Sequence, residues 1–254
     1  MSAPLVVSVG TTHPWNIAGV GLDARVAAEY GLAHAVAIAA VSAQDDRGLH
    51  ALHVIPGDAL RAQLESLPND AATYRIGALV SSENVRVVAA FLRERAARAA
   101  VVVDPVIAVT LGGELRSDDD LFSTLRDELL TLPVIVTPNI EEAAQLVGVD
   151  VRSLNAMRSA AQTLVSRGAR AALIKGGHLD GQPFDVLASS RGVQTFSGER
   201  LAGAMRGSGC TLAAALACEL ALGRDLPDAA AAARAFVREK IAARTMRGGL
   251  QVAF

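Results

Sequence analysis

Gly207-Ser208-Gly209-Cys210 stands directly before Thr211-Leu212-Ala213-Ala214-Ala215, the start of an alanine-rich apolar run that reads as a helix. Two glycines around a serine form helix poorly, but they let the backbone take conformations that a side chain forbids. The helix that follows leaves its first amide N–H groups without partners and carries the positive end of its dipole. Such a mouth suits an anion, above all a phosphate. A small-residue turn packed against a neighbour would use the same residue types, and this stretch alone leaves both readings open.

Two other stretches carry groups suited to phosphate chemistry. VTPNIEEAAQL (136–146) sets Asn139 and Glu142 three apart at a helix start, on one face. An amide and a carboxylate so placed can hold a hydrated Mg²⁺ beside phosphates, or can answer each other as a capping box. LIKGGH (173–178) delivers Lys175 from an apolar strand into a glycine turn. There its cation meets a phosphoryl group or extends from the rim into solvent.

The elements that must position these groups alternate along the chain. LVVSV (5–9), AVAIAAV (35–41), YRIGALV (74–80), AVVVDP (100–105), VIVTPN (134–139) and AALIKGG (171–177) read as strands. Between them lie helical runs: one over LDARVAAEYG ended by Gly31, one opened by Pro56, and ENVRVVAAFLRERAAR with apolar residues three and four apart. DDDLFSTLRDELL follows, then a helix capped by Ser153. FDVLASS and VQTF read as an antiparallel pair, and helices over 209–222 and about 227–244 close the chain. Alternation on this scale predicts a mostly parallel sheet covered on both faces. Ligands then bind beyond the carboxyl ends of the strands. Asp104, Thr137, Asn139 and Lys175 all stand at or just past such ends.

Composition narrows the partners. The 254 residues are 51% hydrophobic but only 4% aromatic, so alanine, valine and leucine must pack the core. With 24 basic against 26 acidic residues the net charge is −2, which offers nothing to nucleic acid or a membrane surface. Cys210 and Cys218 lie eight apart on one predicted helix, roughly 12 Å along its axis and too far for a disulfide. No apolar run approaches bilayer length, and the first ten residues carry no charged leader. One domain spanning 1–254, cytoplasmic and with reduced thiols, is expected. Gly19-Val20-Gly21-Leu22-Asp23-Ala24 fits a dinucleotide fingerprint, but nine residues separate Val9 from Gly19 where the fingerprint needs an immediate strand end. A P-loop and zinc-ligand spacings are absent from the sequence.

Taken in order, SAQDDRG (42–48), VVDPVI (102–107), TPNIEEA (137–143), KGGH (175–178) and GSGCTLAAALA (207–217) resemble the hydroxymethylpyrimidine and phosphomethylpyrimidine kinases of thiamine biosynthesis, in the ribokinase-like superfamily. The resemblance covers nearly the whole chain, and the cysteine of GSGC narrows it, since most sugar kinases of the superfamily carry aspartate there. It implies a three-layer α/β/α fold and an ATP- and Mg²⁺-dependent kinase, working as a homodimer. It implies that the amides of Gly207, Ser208, Gly209 and Cys210 neutralise the transferring phosphoryl group. Cys210 falls where the family's proposed general base sits, and a helix N-terminus is expected to lower its thiol pKa. Asn139 and Glu142 would hold magnesium and its waters, Lys175 would contact ATP phosphates, Asp104 would lie near both, and Thr211 would add a hydroxyl to the nucleotide site. Gln44 matches a glutamine that hydrogen-bonds the pyrimidine, while Cys218 belongs to the core.

The first loop departs from the family. It usually reads Gly-Ser-Asp-Ser-Ser-Gly-Gly-Ala-Gly; here it is GTTHPWNIAG (10–19), in which only Ala18, Gly19 and, further on, Asp23 keep the expected acceptor-side pattern. His13, Trp15 and Asn16 are therefore unusual material near the alcohol substrate, with Trp15 either stacking on a heterocycle or plugging the core. Ala78 stands where the family has a pocket methionine and would enlarge that pocket. The usual C-terminal tail is replaced by RGGLQVAF, and His178 receives no role. Pyridoxal or pyridoxine is the alternative acceptor, and a non-catalytic pyrimidine- or nucleotide-binding domain is the reading from another class.

Overall fold

Short, continuously buried apolar runs in the central strands and 3.6-residue spacing in the helices produce the expected order of elements. The structure, a computed structural model, describes residues 3–95, 97–106, 115–177, 179, 182–203 and 205–254; His178 lies outside them. β1 (Leu5–Thr11) leads through α1 (Gly19–Glu29) to β2 (Ala33–Gln44), which turns back as β3 (Leu49–Val54). Then follow α2 (Gly57–Glu65), β4 (Ala71–Ile76), α3 (Ser82–Arg95) and β5 (Ala100–Val103). α4 (Leu121–Thr124) runs on as a π-helical turn (Leu125–Leu129) before β6 (Ile135–Val136), α5 (Ile140–Val147) and α6 (Leu154–Ser166). β7 (Ala171–Lys175), β8 (Phe184–Ser189) and β9 (Gly192–Ser197) precede α7 (Ser208–Ala221) and α8 (Leu226–Ala242). A small hairpin of β10 (Thr245–Arg247) and β11 (Leu250–Val252) ends the described chain.

Nine strands make one sheet in the order β3-β2-β1-β4-β5-β6-β7-β8-β9. β2, β1, β4, β5, β6 and β7 run parallel, and β3, β8 and β9 add antiparallel edges. Alternate strand residues serve opposite layers, as period-2 geometry requires. Val7, Val9, Val101 and Val103 pack with residues of α2, α3, α5 and α6. Val6, Val102 and Leu173 pack with α1, α7 and α8. The chain leaves β1 towards β2 on one side and returns to β4 on the other, which opens a crevice at the carboxyl ends.

The elements differ from expectation in several places, and most strands past β4 end short of the expected span. The strand expected over 74–80 ends at Ile76: Gly77 N–H makes a last cross-strand bond to Val9 O, and beyond it Val80 takes φ +62°, outside the extended region. β3, unread in the sequence, pairs antiparallel with β2. The last helix stops at Ala242, and Gly248 and Gly249, with φ of +52° and +80°, make the two-residue turn between β10 and β11. That turn wants left-handed backbone at both positions, which glycine supplies. Ser153 caps α6 as expected, accepting from Ala156 N–H.

Candidate active site

α7 opens on a left-handed residue. Gly207 has φ +80°, and a Cβ there would lie 2.1 Å from Ile17 O, so a side chain is excluded on both counts. Among the described residues no side chain caps this helix; Ser208 N–H is donated to Met205 O at 3.3 Å, which leaves the N–H groups of Gly209 and Cys210 and the dipole for a ligand. Ser208, Gly209 and Cys210 are all partly exposed at that mouth. A Cβ on Gly209 would stand 3.2 Å from Lys175 Nζ, so the ammonium lies directly at the helix end.

Behind the mouth runs a chain of buried charges. Lys175 Nζ is 2.7 Å from Asp104 Oδ1, to which Thr137 also donates at 3.3 Å. Asp104 Oδ2 lies 3.3 Å from an Arg75 Nη, and Arg75 Nε lies 3.4 Å from Asp23 Oδ1. Arg75, Asp23 and Asp104 are almost wholly buried. Strand register gathers them: Arg75 pairs with Val102 across β4–β5, and Asn139 forms a bridge with Lys175. Burial pushes the Asp23 carboxyl up to about 6, with Arg75 pulling it back only in part. At 3.4 Å the pair is poorly aligned, and neither Asp23 oxygen nor Arg75 Nε has a hydrogen-bond partner among the described residues. Burial acts on Asp104 in the same sense, but Lys175 and Arg75 outweigh it and hold that carboxyl below its ordinary value.

Asn139 and Glu142 form the capping box that the sequence left as one of two readings. Asn139 Oδ1 accepts from Glu142 N–H and Glu142 Oε2 accepts from Asn139 N–H, both at 2.8 Å. Glu142 is buried, and burial together with repulsion from Asp104 lifts its carboxyl to about 7 against the pull of Lys175. Among the described residues no three His, Cys, Asp or Glu side chains are grouped to hold a metal directly. The donor set therefore fits a cation that keeps much of its shell from water and phosphate, as Mg²⁺ does.

On the acceptor side, the Gly19 backbone and the Arg75 guanidinium both act on the Cys210 thiol and favour its charged form. The N-termini of α1 and α7 thus meet at this thiol. The lowered thiol pKa expected there does not occur: burial raises it, and Asp104 and Asp23 add to the rise against the pull of Arg75. Desolvating a thiolate costs more here than the helix end and the guanidinium return. Cys210 is a neutral thiol near pH 7. Thr211 is fully buried and its hydroxyl donates to Gly207 O at 2.9 Å, bracing the mouth. Gln44 is buried, donating from Nε2 to Ser42 Oγ at 2.7 Å and accepting from Arg206 at 3.2 Å. Ala78 belongs to a small apolar patch with Ala40, Val80 and Leu115. Asp23 faces Arg75 inside the fold. Cys218 is core, as expected, and both cysteines are free. Trp15 is half-buried, close against Gly248 of the terminal hairpin.

Sequence reasoning passed over Arg75 and Arg206. A signal existed for the first: a lone arginine inside an apolar strand, followed by Gly77, whose Cβ would stand 2.0 Å from the arginine Nη1. Arg206 offered none, because its partner Gln44 lies 162 residues away.

A parallel α/β sheet with an uncapped helix mouth, an ammonium and buried carboxylates at its carboxyl edge defines a phosphotransferase, a kinase of the three-layer ribokinase-like class. The family model for phosphomethylpyrimidine kinase matches residues 15–252, and the chain belongs to that family. It is 36% identical over 252 residues to a hydroxymethylpyrimidine/phosphomethylpyrimidine kinase of Streptomyces coelicolor, covering 98% of this chain and 93% of the relative. An ADP complex of Bacillus subtilis pyridoxal kinase matches with TM-score 0.89 and 25% identity, over 99% of this chain and 96% of that one. Pyridoxal kinase from Staphylococcus aureus in complex with AMP-PCP and pyridoxal matches with TM-score 0.87 and 26% identity, over 99% and 93% of the two chains.

Proposed function

We propose that this kinase transfers the γ-phosphoryl group of ATP, with Mg²⁺, to hydroxymethylpyrimidine and to its monophosphate. The observation that carries the phosphoryl-transfer half is the meeting of the uncapped α7 mouth with Lys175 and Asp104. The Streptomyces relative's name supports the pyrimidine acceptor, and the ADP and AMP-PCP complexes of the neighbours support the nucleotide. In this reading the N–H groups of Gly209 and Cys210, with Ser208 N–H held by Met205 O, take up negative charge on the γ-phosphoryl oxygens as the bond to ADP lengthens. Donors fixed before the reaction give that stabilisation without reorganisation. Lys175 contacts the phosphates while Asp104, itself pinned by Arg75 and Thr137, fixes its position. Glu142 and Asn139 would face the water shell of a bound Mg²⁺, which would supply positive charge to the phosphates. Gln44 and Ala78 line the acceptor side beside Gly19, and Asp23 acts through Arg75. Phosphoryl transfer rests mainly on positioning and electrostatics, so a neutral Cys210 suits it as a positioning contact.

A homodimer in the cytoplasm completes the proposal; exposed Val36 and Val41 on β2 offer apolar surface to a second copy, and sedimentation tests it. The two pyridoxal kinases favour a second acceptor, since pyridoxal also presents a hydroxymethyl group on a ring. ADP release by the purified protein separates the readings. Turnover with either pyrimidine supports the first, and turnover with pyridoxal alone overturns it. Saturable binding with no ADP release from any acceptor would return the chain to a binding role.

A further inference from the structure

Two buried N–H donors at the acceptor end have no acceptor among the described residues: His13 Nε2 and Arg206 Nε. The His13 ring is 2% exposed, and its Nδ1 accepts a hydrogen bond from Trp15 N–H at 3.1 Å. A backbone amide only donates, so the neutral ring must carry its hydrogen on Nε2. Burial and the neighbouring Arg206 charge lower the His13 pKa to about 4, which keeps the ring neutral near pH 7. Arg206 is half-buried and held by its backbone, with N–H donated to Gln251 O at 2.8 Å and a bridge to Val252. Its guanidinium reaches Gln44 at 3.2 Å and its charge also acts on Cys210. The terminal hairpin supports both donors, since Gly248 backs Trp15 and β11 backs Arg206. An orphaned buried donor costs about 1–3 kcal/mol and calls for a partner.

We infer that His13 Nε2–H and Arg206 form an anion-recognising pair for the phosphate of a phosphorylated acceptor, so that the site prefers the pyrimidine monophosphate to the free alcohol. The inference rests on the pyrimidine reading above and adds which form of the acceptor the site selects. In the step concerned, a non-bridging oxygen of the monoester bonds to the γ-phosphorus. The bond from that phosphorus to the β-bridging oxygen breaks, and ADP keeps the electron pair. A monoester dianion brings no proton to remove, which agrees with the neutral thiol of Cys210. A hydroxyl acceptor would have to give up a proton beside it.

The test compares kcat/KM for the monophosphate with kcat/KM for the free alcohol in wild type, Arg206→Gln and His13→Leu, each variant serving as its own control for folded fraction. The wild-type ratio is expected to exceed one. Losing a charge-assisted hydrogen bond should lower it about 10- to 100-fold in Arg206→Gln, and His13→Leu should lower it in the same direction. Arg206→Lys should restore part of the loss. A wild-type preference for the free alcohol, or a ratio unmoved in both variants while both acceptors turn over, overturns this inference and leaves the pyrimidine reading standing. Wild-type protein that turns over neither pyrimidine overturns both.

Discussion

Arg75 is the largest fully buried side chain among the described residues and lies between two buried carboxylates, with Asp23 at 3.4 Å and Asp104 at 3.3 Å. Arg75→Met keeps much of the side-chain volume and removes the charge, which leaves Asp23 facing Asp104 with only Lys175 to compensate. Removing one partner of a buried ion pair costs about 3–5 kcal/mol, roughly a fifth or more of the stability of an ordinary domain. For a chain of this length that corresponds to a fall in Tm of about 6 to 20 °C. The loss should depend on pH. In the wild type the Asp23 carboxyl already sits at about 6, above its ordinary value of 3.8, so the folded state favours its protonated form. Without the guanidinium that preference strengthens, and proton uptake relieves the repulsion. The loss at about pH 8 should therefore exceed the loss at about pH 5.5, and adding Asp23→Asn should return part of it. Thermal unfolding followed by circular dichroism at the two pH values measures all three. A Tm within about 2 °C of wild type at pH 8, or an equal loss at both pH values, would refute the reasoning.

Gly209→Val places a branched side chain where a Cβ already stands 3.2 Å from Lys175 Nζ; ADP release should fall about 100-fold or more with little change in Tm, and near-normal turnover would discredit the helix mouth. Lys175→Ala should lower kcat/KM for ATP about 100-fold while the acceptor KM changes little; unchanged nucleotide kinetics would take the residue out of the site. The Glu142 carboxyl is raised from 4.5 to about 7, so the folded protein binds a proton that the unfolded chain lacks, and its contribution to stability is lost as pH rises through about 7. Glu142→Gln keeps the capping box and should flatten the stability curve between about pH 4.5 and 7; a wild-type slope in that variant would contradict the shift. Because burial keeps the Cys210 thiol protonated, Cys210→Ser should retain turnover within about 10-fold and keep the wild-type pH–rate profile, whereas a general base would cost about 100-fold or more.

What the sequence determined by itself lay within a turn or two of the chain. Short runs of valine wrote β1 and β5, Gly207 and Gly209 wrote an uncapped helix mouth, Ser153 wrote a cap, and the three-residue spacing of Asn139 and Glu142 allowed a capping box. Polar residues after apolar runs marked the carboxyl edge, because a strand's end and its ligand side are local properties of a parallel sheet. The tertiary structure decided the rest. It chose the capping box over a freely presented Glu142, joined Asp23 of α1 to Arg75 of β4 and Asp104 after β5, and set Arg206 against Gln44. It also reversed the expected state of Cys210, since a helix end is visible in sequence but the desolvation around a thiol is not. Local hydrogen-bond geometry repeats with the chain's own period and can be read along it, whereas burial and charge pairing depend on neighbours that only folding brings within a few ångströms.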